Sequence, residues 1–127
     1  MPILLQIALG GAIGALLRYL GVLAVARSTG AGFPWGTLAV NVSGSFLMGI
    51  AVIALGLRVG PQLAGFAPFL MTGLLGGFTT FSAFSLEIFQ LVERGRMLAA
   101  AAYAAGSLAL GFTALAAGVW LARGWSA

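Results

Sequence analysis

The sequence predicts an all-α membrane protein in which four transmembrane helices cross the bilayer. Of its 127 residues, 61% are hydrophobic and only 6% are charged, and the mean hydropathy is +1.12. In a soluble domain, about a quarter of the residues carry a charge. A spanning helix needs about 20 apolar residues, so four helices use most of the chain and we expect a single transmembrane domain over residues 1–127.

Four long apolar segments, separated by helix-breaking residues, define the predicted helices. Glycine and proline cluster at 30–36 after the first segment and at 60–61 after the second, and Gly95 follows the third. Tryptophans stand near the segment ends, as in an aromatic belt, at Trp35, Trp120 and Trp125. The predicted helices therefore cover residues 3–26, 37–57, 63–92 and 97–122.

Small residues in three of these segments predict close helix packing, because they let two helix backbones approach each other. They are Gly10 and Gly14 in the first segment, Gly44 and Gly49 in the second, and the alanine-rich run 99–105 with Gly106 in the fourth.

The third segment contains the run Gly76-Gly77-Phe78-Thr79-Thr80-Phe81-Ser82-Ala83-Phe84-Ser85. Two adjacent glycines followed by several hydroxyl residues predict that the helix breaks halfway across the membrane. An unsatisfied backbone group in hydrocarbon costs several kcal/mol, so such a break persists only where it is buried in protein or lines a polar site. Because half-helix ends bind ions in broken-helix transporters, this break is a candidate functional site.

The arginines of the loops give almost no preferred orientation in the bilayer. One membrane face would carry Arg58 and Arg123, and the other Arg27, Arg94 and Arg96. Orientation normally follows an excess of positive charge in short cytoplasmic loops. We therefore expect both orientations and an antiparallel, dual-topology homodimer with closed two-fold symmetry.

Composition excludes several other classes of function. The chain has no cysteine and no histidine, which removes thiol chemistry, thiolate metal sites and the usual proton shuttle. Its basic residues are scattered arginines, which does not favour a nucleic-acid partner. No ATP-binding loop or catalytic dyad is found, so we expect no enzyme activity.

Arg18 lies inside the first predicted span, about 12 Å of helix from its end. An intramembrane arginine marks a functional site by default. Three roles are open for Arg18. It pairs with Glu87, which is the only acid inside a span, or it reaches the headgroups because the helix tilts. Alternatively, it forms an electropositive vestibule that concentrates an anion.

Asn41 interrupts the second segment together with Ser43 and Ser45. Its side-chain amide has two N–H donors. These donors either serve an anion or bridge two helices.

Phe81 and Phe84 are spaced to share one face of a helix that begins after the break, with Thr80 and Ser82 beside them. The rings either pack ordinarily or receive a small anion at their electropositive edges, with the neighbouring hydroxyls donating to it. The backbone carbonyls released between Gly76 and Thr79 would suit a small hard cation instead.

The string from Gly76 to Glu87 resembles the third-helix signature of the Fluc (CrcB) fluoride channels. The run Gly10-Gly11-Ala12-Ile13-Gly14 followed by Arg18 is similar to that family's first helix. The run Gly36-Thr37-Leu38-Ala39-Val40-Asn41 with Gly44 is similar to its second. The resemblance extends over essentially the whole chain.

This resemblance implies a passive, fluoride-selective channel that exports fluoride down its gradient across the bacterial inner membrane. It implies an antiparallel homodimer with two pores and a central sodium ion. The carbonyls of Gly76 and Thr79 would hold the sodium, and Arg18 would recruit the anion. The pore would be lined by Asn41, Thr80, Phe81, Ser82, Phe84 and Ser107.

The fourth helix departs from the family pattern at one position. Family members can carry a second hydroxyl one turn after the serine that matches Ser107, where this chain has Gly111. Thr113 is too far along the helix to share that face. We expect Ser107, Thr80, Ser82 or water to supply the polar groups.

Two other functions remain open from the sequence. A small proton-coupled multidrug exporter shares four helices and dual topology, but it needs an acid in the first span, where this chain has Arg18. A non-transporting assembly subunit would use the broken helix for packing alone.

Overall fold

The computed structural model describes residues 1–58 and 60–125, and the regular structure in these ranges is helical. The long helices are α1 (Ile3–Thr29), α2 (Trp35–Ile53), α5 (Phe81–Glu93) and α6 (Met97–Gly124). Between α2 and α5 lie a π-helical turn (Ala54–Arg58), the short α3 (Pro61–Ala64), a π-helical segment (Pro68–Leu75) and α4 (Gly76–Phe78).

Four stretches of helix are long and apolar enough to cross a membrane, namely Ile3–Thr29, Trp35–Gly56, Pro61–Glu93 and Met97–Gly124. Only 6% of the most apolar window of the fourth stretch is buried within the chain, and 11% of that of the first. Most apolar side chains of these two helices therefore face away from the rest of the chain, as expected for surfaces covered by lipid or by another membrane protein.

The first helix continues past its predicted end at Ala26 to Thr29. No helix breaker occurs before Gly30, whose φ of 76° is readily adopted only by glycine. The Gly30 N–H donates to the Ala26 carbonyl at 2.9 Å, which closes the last turn.

Glycines of α1 lie directly against the backbone of the third span. A Cβ atom at Gly14 would overlap the Leu74 carbonyl oxygen and lie 2.9 Å from the Phe78 amide nitrogen. A Cβ atom at Gly77 would lie 2.7 Å from the Gly11 carbonyl oxygen. The two backbones touch at these positions, so α1 and the start of the break are held together.

The contact between α2 and α6 uses Gly49, which the sequence predicts for close packing, and Gly118, which it does not single out. A Cβ atom at Gly49 would overlap the Leu115 carbonyl oxygen, and one at Gly118 would overlap that of Phe46. By contrast, a Cβ atom at Gly106 would meet nothing within 4 Å. Gly106 therefore makes no close helix contact within one chain, and its role in packing stays a prediction.

The backbone leaves the helical conformation at Thr79 and Thr80 rather than at the two glycines. Gly76 remains helical, with φ −64° and ψ −36°. Thr79 has φ −84° and ψ 158°, and Thr80 has φ −150° and ψ 125°. Threonine, a β-branched residue, favours extended backbone. Gly77 instead serves close packing, because a side chain there would collide with the backbone of Gly11.

A small aromatic core closes the end of the bundle formed by α5 and α6. Phe84, Leu91, Ala100 and Tyr103 are buried together, and Phe33 from the α1–α2 loop packs against them. Arg96 Nη1 donates a hydrogen bond to the Gly32 carbonyl, which fastens this loop. The loop between α1 and α2 is thereby fastened to the end of the bundle where α5 and α6 meet.

Candidate functional site

A groove of about 370 Å³ opens beside the interruption of the third span. It is formed by residues of α2, the break, α5 and α6. Six residues that the sequence singles out for ion binding line it: Asn41, Thr79, Thr80, Phe81, Phe84 and Ser107. Its other lining residues are Ser45, Leu108, Gly111 and Phe112.

The side chain of Asn41 forms two hydrogen bonds with the backbone of Thr80. The Thr80 N–H donates to Asn41 Oδ1 at 2.8 Å, and Asn41 Nδ2 donates to the Thr80 carbonyl at 3.0 Å. Of the two alternatives left open for Asn41, the structure therefore has the bridge between helices. The amide keeps a second N–H, because Nδ2 carries two donors.

Thr80 also begins α5. Its hydroxyl accepts a hydrogen bond from the Ala83 N–H at 3.2 Å, as an N-cap residue does. The amides of the first helical turn lie at the positive end of the helix dipole. This end of α5 therefore places a partial positive charge beside the groove.

The two phenylalanines of the groove are held differently. Their ring centroids are 5.8 Å apart, with an interplanar angle of 48°. Phe84 is only 8% exposed and stacks on Tyr103 with centroids 5.1 Å apart. Phe81 is 76% exposed, so Phe84 is fixed by packing while Phe81 presents its ring outside the chain.

Ser107 places a buried hydroxyl in the groove that has no hydrogen-bond partner in the protein. Buried polar groups are normally paired. An unpartnered hydroxyl of this kind is open to a partner from outside the chain, such as water or a bound ion, and Ser107 is therefore a candidate ligand contact of this site.

Ser82, the remaining predicted pore residue, does not join the groove. Its side chain is exposed, and it is not among the residues that line this space. It follows Phe81 at the start of α5, so consecutive residues there point in different directions. The structure brings the other predicted pore residues together and leaves Ser82 outside.

Arg18 binds the backbone of the break. Its Nε donates to the Gly77 carbonyl at 3.1 Å. Arg18 also lines a second cavity, of about 340 Å³, together with Thr37, Thr80 and Glu87. Arg18 and Glu87 thus face the same space, but the hydrogen bond found for the guanidinium is to Gly77.

Glu87 is held by two hydroxyl groups that the sequence analysis did not connect with it. Thr37 Oγ1 donates to Glu87 Oε1 at 2.6 Å, and the Tyr103 hydroxyl donates to Oε2 at 2.7 Å. Thr37 is one turn before Asn41 on α2, a spacing that places both on one face. That spacing could have indicated Thr37, whereas no local signal connects Tyr103 with Glu87.

The end of the first half of the third span offers backbone oxygens to a cation. The Thr79 N–H still donates to the Leu75 carbonyl at 3.1 Å, whereas the next donor, the Thr80 N–H, is turned to Asn41. The carbonyls of Gly76 to Thr79 thus lie at a helix end, where the last four are released. In the described part of the chain, no cluster of acidic or other metal-ligating side chains competes with them.

Four apolar helices, with a groove of aromatic rings and hydroxyls at an interruption in one of them, define a multi-pass membrane protein of the ion-transporting class. A family model described as "CrcB-like protein, Camphor Resistance (CrcB)" matches residues 5–119. That match covers most of the chain, and the chain belongs to the CrcB family.

Several relatives named "Fluoride-specific ion channel FluC" are similar to the chain over nearly its whole length. The relative from Cereibacter sphaeroides is 54% identical over 124 residues, which covers 98% of this chain and 97% of the relative. The relative from Ruegeria sp. is 53% identical over 121 residues and covers 94% of both chains. The relative from Chelativorans sp. is 52% identical over 120 residues, with 94% and 95% covered.

Proposed function

We propose that this chain forms a fluoride-specific ion channel, a transport protein and not an enzyme, through which fluoride moves passively down its gradient. Relatives with this name are about half identical to it over nearly their full length. The observation that carries the proposal is the buried, unpartnered hydroxyl of Ser107 in the groove that Phe81 and Phe84 line.

Fluoride is a small, strongly hydrated anion, so a selective pore must replace its water with other donors. The Ser107 hydroxyl, the second N–H of Asn41 and the helix end at Thr80 supply polar contacts. The edges of the Phe81 and Phe84 rings are electropositive. A groove with these contacts favours a small anion over larger ones by close geometry.

The conducting form in this proposal is an antiparallel homodimer of dual topology with two pores, and the interrupted third helix lies near the membrane midplane. Three observations support it: the groove is open on one side, Phe81 is 76% exposed, and the loop arginines are nearly balanced. A second copy would cover the exposed ring and close the groove. Ser82, which lies outside the groove of one chain, would reach a pore only in such an assembly.

A sodium ion at the centre of the dimer is part of the same proposal. The carbonyl oxygens of Gly76 and Thr79 fit a small hard cation by their chemistry, and Gly77 is already used by Arg18. When bound, the sodium would neutralise the negative ends of two half-helices and so join the two copies. Thermal unfolding in sodium and in choline salts tests this part, because we expect a lower midpoint when sodium is absent.

The guanidinium of Arg18 adds positive charge to a cavity on the other side of the break. We assign it to the vestibule, where it raises the local concentration of anions. In the bacterial inner membrane, the channel would release fluoride that has entered the cell as the neutral acid. This export would relieve fluoride toxicity without an energy source.

Efflux from liposomes tests the proposed function directly. Purified protein is reconstituted in liposomes loaded with potassium fluoride or potassium chloride, and a potassium ionophore starts the efflux. A fluoride electrode should record rapid release, while chloride should be retained. Folded protein that releases no fluoride would contradict the proposal and return the interrupted helix to a packing role.

A further inference from the structure

The groove contains a second serine hydroxyl, that of Ser45 on α2. Ser45 lines the same groove as Ser107, and among the described residues it has no hydrogen-bond partner in the protein. Its neighbour Ser43 differs, because its hydroxyl donates to the Ala39 carbonyl of its own helix at 2.7 Å. The hydroxyl of Ser45 is thus unused, whereas that of Ser43 is satisfied locally.

Ser45 lies opposite Gly111 of α6. A Cβ atom at Gly111 would lie 3.7 Å from Ser45 Oγ, an ordinary van der Waals distance. Gly111 follows Ser107 by one turn on the same face of α6. The Ser45 hydroxyl therefore stands one turn further along the groove than the Ser107 hydroxyl, in front of a position where α6 offers no polar group.

Backbone packing keeps Ser45 in this position. Gly49 is one turn after Ser45 on α2, and its Cα lies against the Leu115 carbonyl, one turn after Gly111 on α6. Contact between two backbones permits little sliding. The register of α2 on α6 that places Gly49 beside Leu115 therefore also places Ser45 beside Gly111.

We propose that Ser45 is a fluoride-contacting residue of the pore, which supplies from α2 the hydroxyl that α6 lacks at Gly111. This inference rests on the proposed function of the groove. Together the Ser45 and Ser107 hydroxyls form two successive donor positions along the path of the anion. The two positions are about one helical turn, or 5–6 Å, apart. An anion leaving one donor then meets the next without full rehydration.

The test compares fluoride efflux of Ser45→Ala with that of Ser43→Ala, a matched loss of a hydroxyl from the same helix. Loss of a hydrogen bond to an ion lowers a rate about tenfold, so we expect Ser45→Ala to reduce efflux about tenfold and Ser43→Ala to stay within twofold of the unmodified protein. The double variant Ser45→Ala with Gly111→Ser returns a hydroxyl to the same place from α6 and should restore most of the efflux. Unchanged efflux in Ser45→Ala, or an equal loss in Ser43→Ala, would overturn the role of Ser45.

A second measurement uses the absence of native cysteine. In Ser45→Cys, a small thiol reagent should block efflux, and fluoride should slow the modification more than chloride does. In Ser43→Cys, modification should leave efflux intact. Failure of fluoride to protect the Ser45→Cys thiol would also overturn the assignment. Unmodified protein without any fluoride efflux would instead overturn the proposed function itself, so the two failures can be told apart.

Discussion

Arg18 Nε donates a hydrogen bond to the carbonyl oxygen of Gly77 at 3.1 Å, although 59 positions separate the two residues in the chain. The bond is possible because Gly11 and Gly14, on the preceding turns of α1, let the third span approach so closely. Long side chains lean towards the N-terminus of their own helix, which is where Gly77 packs. A positive charge is thereby placed at the carbonyl end of a half-helix, where it is stabilising.

Replacement of Arg18 separates its charge from its hydrogen bond. Arg18→Lys keeps the charge but lacks the rigid Nε–H, and we expect it to lower the free energy of unfolding by about 2 kcal/mol. Arg18→Gln also removes the positive charge that attracts the anion. We therefore expect its efflux to depend less on ionic strength than that of the unmodified protein. Thermal unfolding and efflux at low and high salt measure the two effects. Arg27→Lys, an exposed arginine of the same helix, is the control. Equal stability of Arg18→Lys and the unmodified protein would contradict the bond.

Asn41→Ala should destabilise the protein more than a surface substitution does. The change removes both partners of the Thr80 backbone, the acceptor for its N–H and the donor to its carbonyl. Each buried group left unsatisfied costs about 1–3 kcal/mol. Hydrogen exchange of the Thr80 amide should accelerate markedly, with that of Ala83 following it. An unchanged exchange rate at Thr80 would show that another group takes the place of Asn41.

The interruption of the third span shows where sequence reasoning stops. Residue types between Gly76 and Ser85 indicate that the helix is weak there, and glycine spacing on α1 indicates a close neighbour. The residues that become extended are Thr79 and Thr80. Their conformation is stabilised by the side chain of Asn41, which comes from another helix. No local sequence pattern predicts that contact.

The same limit applies to the hydroxyls near the groove. Thr80 and Ser82 are equivalent in the sequence, yet only Thr80 lines the groove. The rotation of α5 after the break decides between them, and in this rotation Phe84 stacks on Tyr103. Composition and periodicity therefore predict the spans, whereas contacts between helices select the residues of the site.

Gly14→Ala should disrupt the contact between α1 and the third span. A Cβ atom at this position would overlap the Leu74 carbonyl oxygen, so the helices must separate, at a cost of about 2 kcal/mol or more. Gly106→Ala is the matched control, because a Cβ atom there meets nothing within 4 Å. Thermal unfolding in detergent should show a lower midpoint for Gly14→Ala alone. A comparable loss in Gly106→Ala would place a partner against that face of α6.

Phe81→Ile and Phe84→Ile should both reduce fluoride efflux, since an aliphatic side chain has no electropositive ring edge. Their effects on stability should differ. Phe84 is 8% exposed and stacks on Tyr103, so its replacement also lowers the unfolding midpoint, whereas that of Phe81 leaves a single chain almost unaffected. Phe89→Ile, an exposed position of the same helix that does not line the groove, controls for the loss of an aromatic ring. Full efflux in both groove variants would refute the role of the rings.

Ser107→Ala should separate function from stability more cleanly than any other change. The buried hydroxyl has no partner in the protein, and a buried polar group without a partner costs about 1–3 kcal/mol. Its removal should therefore leave the unfolding midpoint unchanged or raise it. Fluoride efflux should fall about tenfold, because an ion in the groove loses a donor. Thr113→Val, on an exposed face of the same helix, should change neither quantity. If the Ser107→Ala protein unfolds at a lower temperature and conducts normally, the hydroxyl supports the fold and not the ion. The groove would then select fluoride through Asn41, Thr80 and the phenylalanine rings alone.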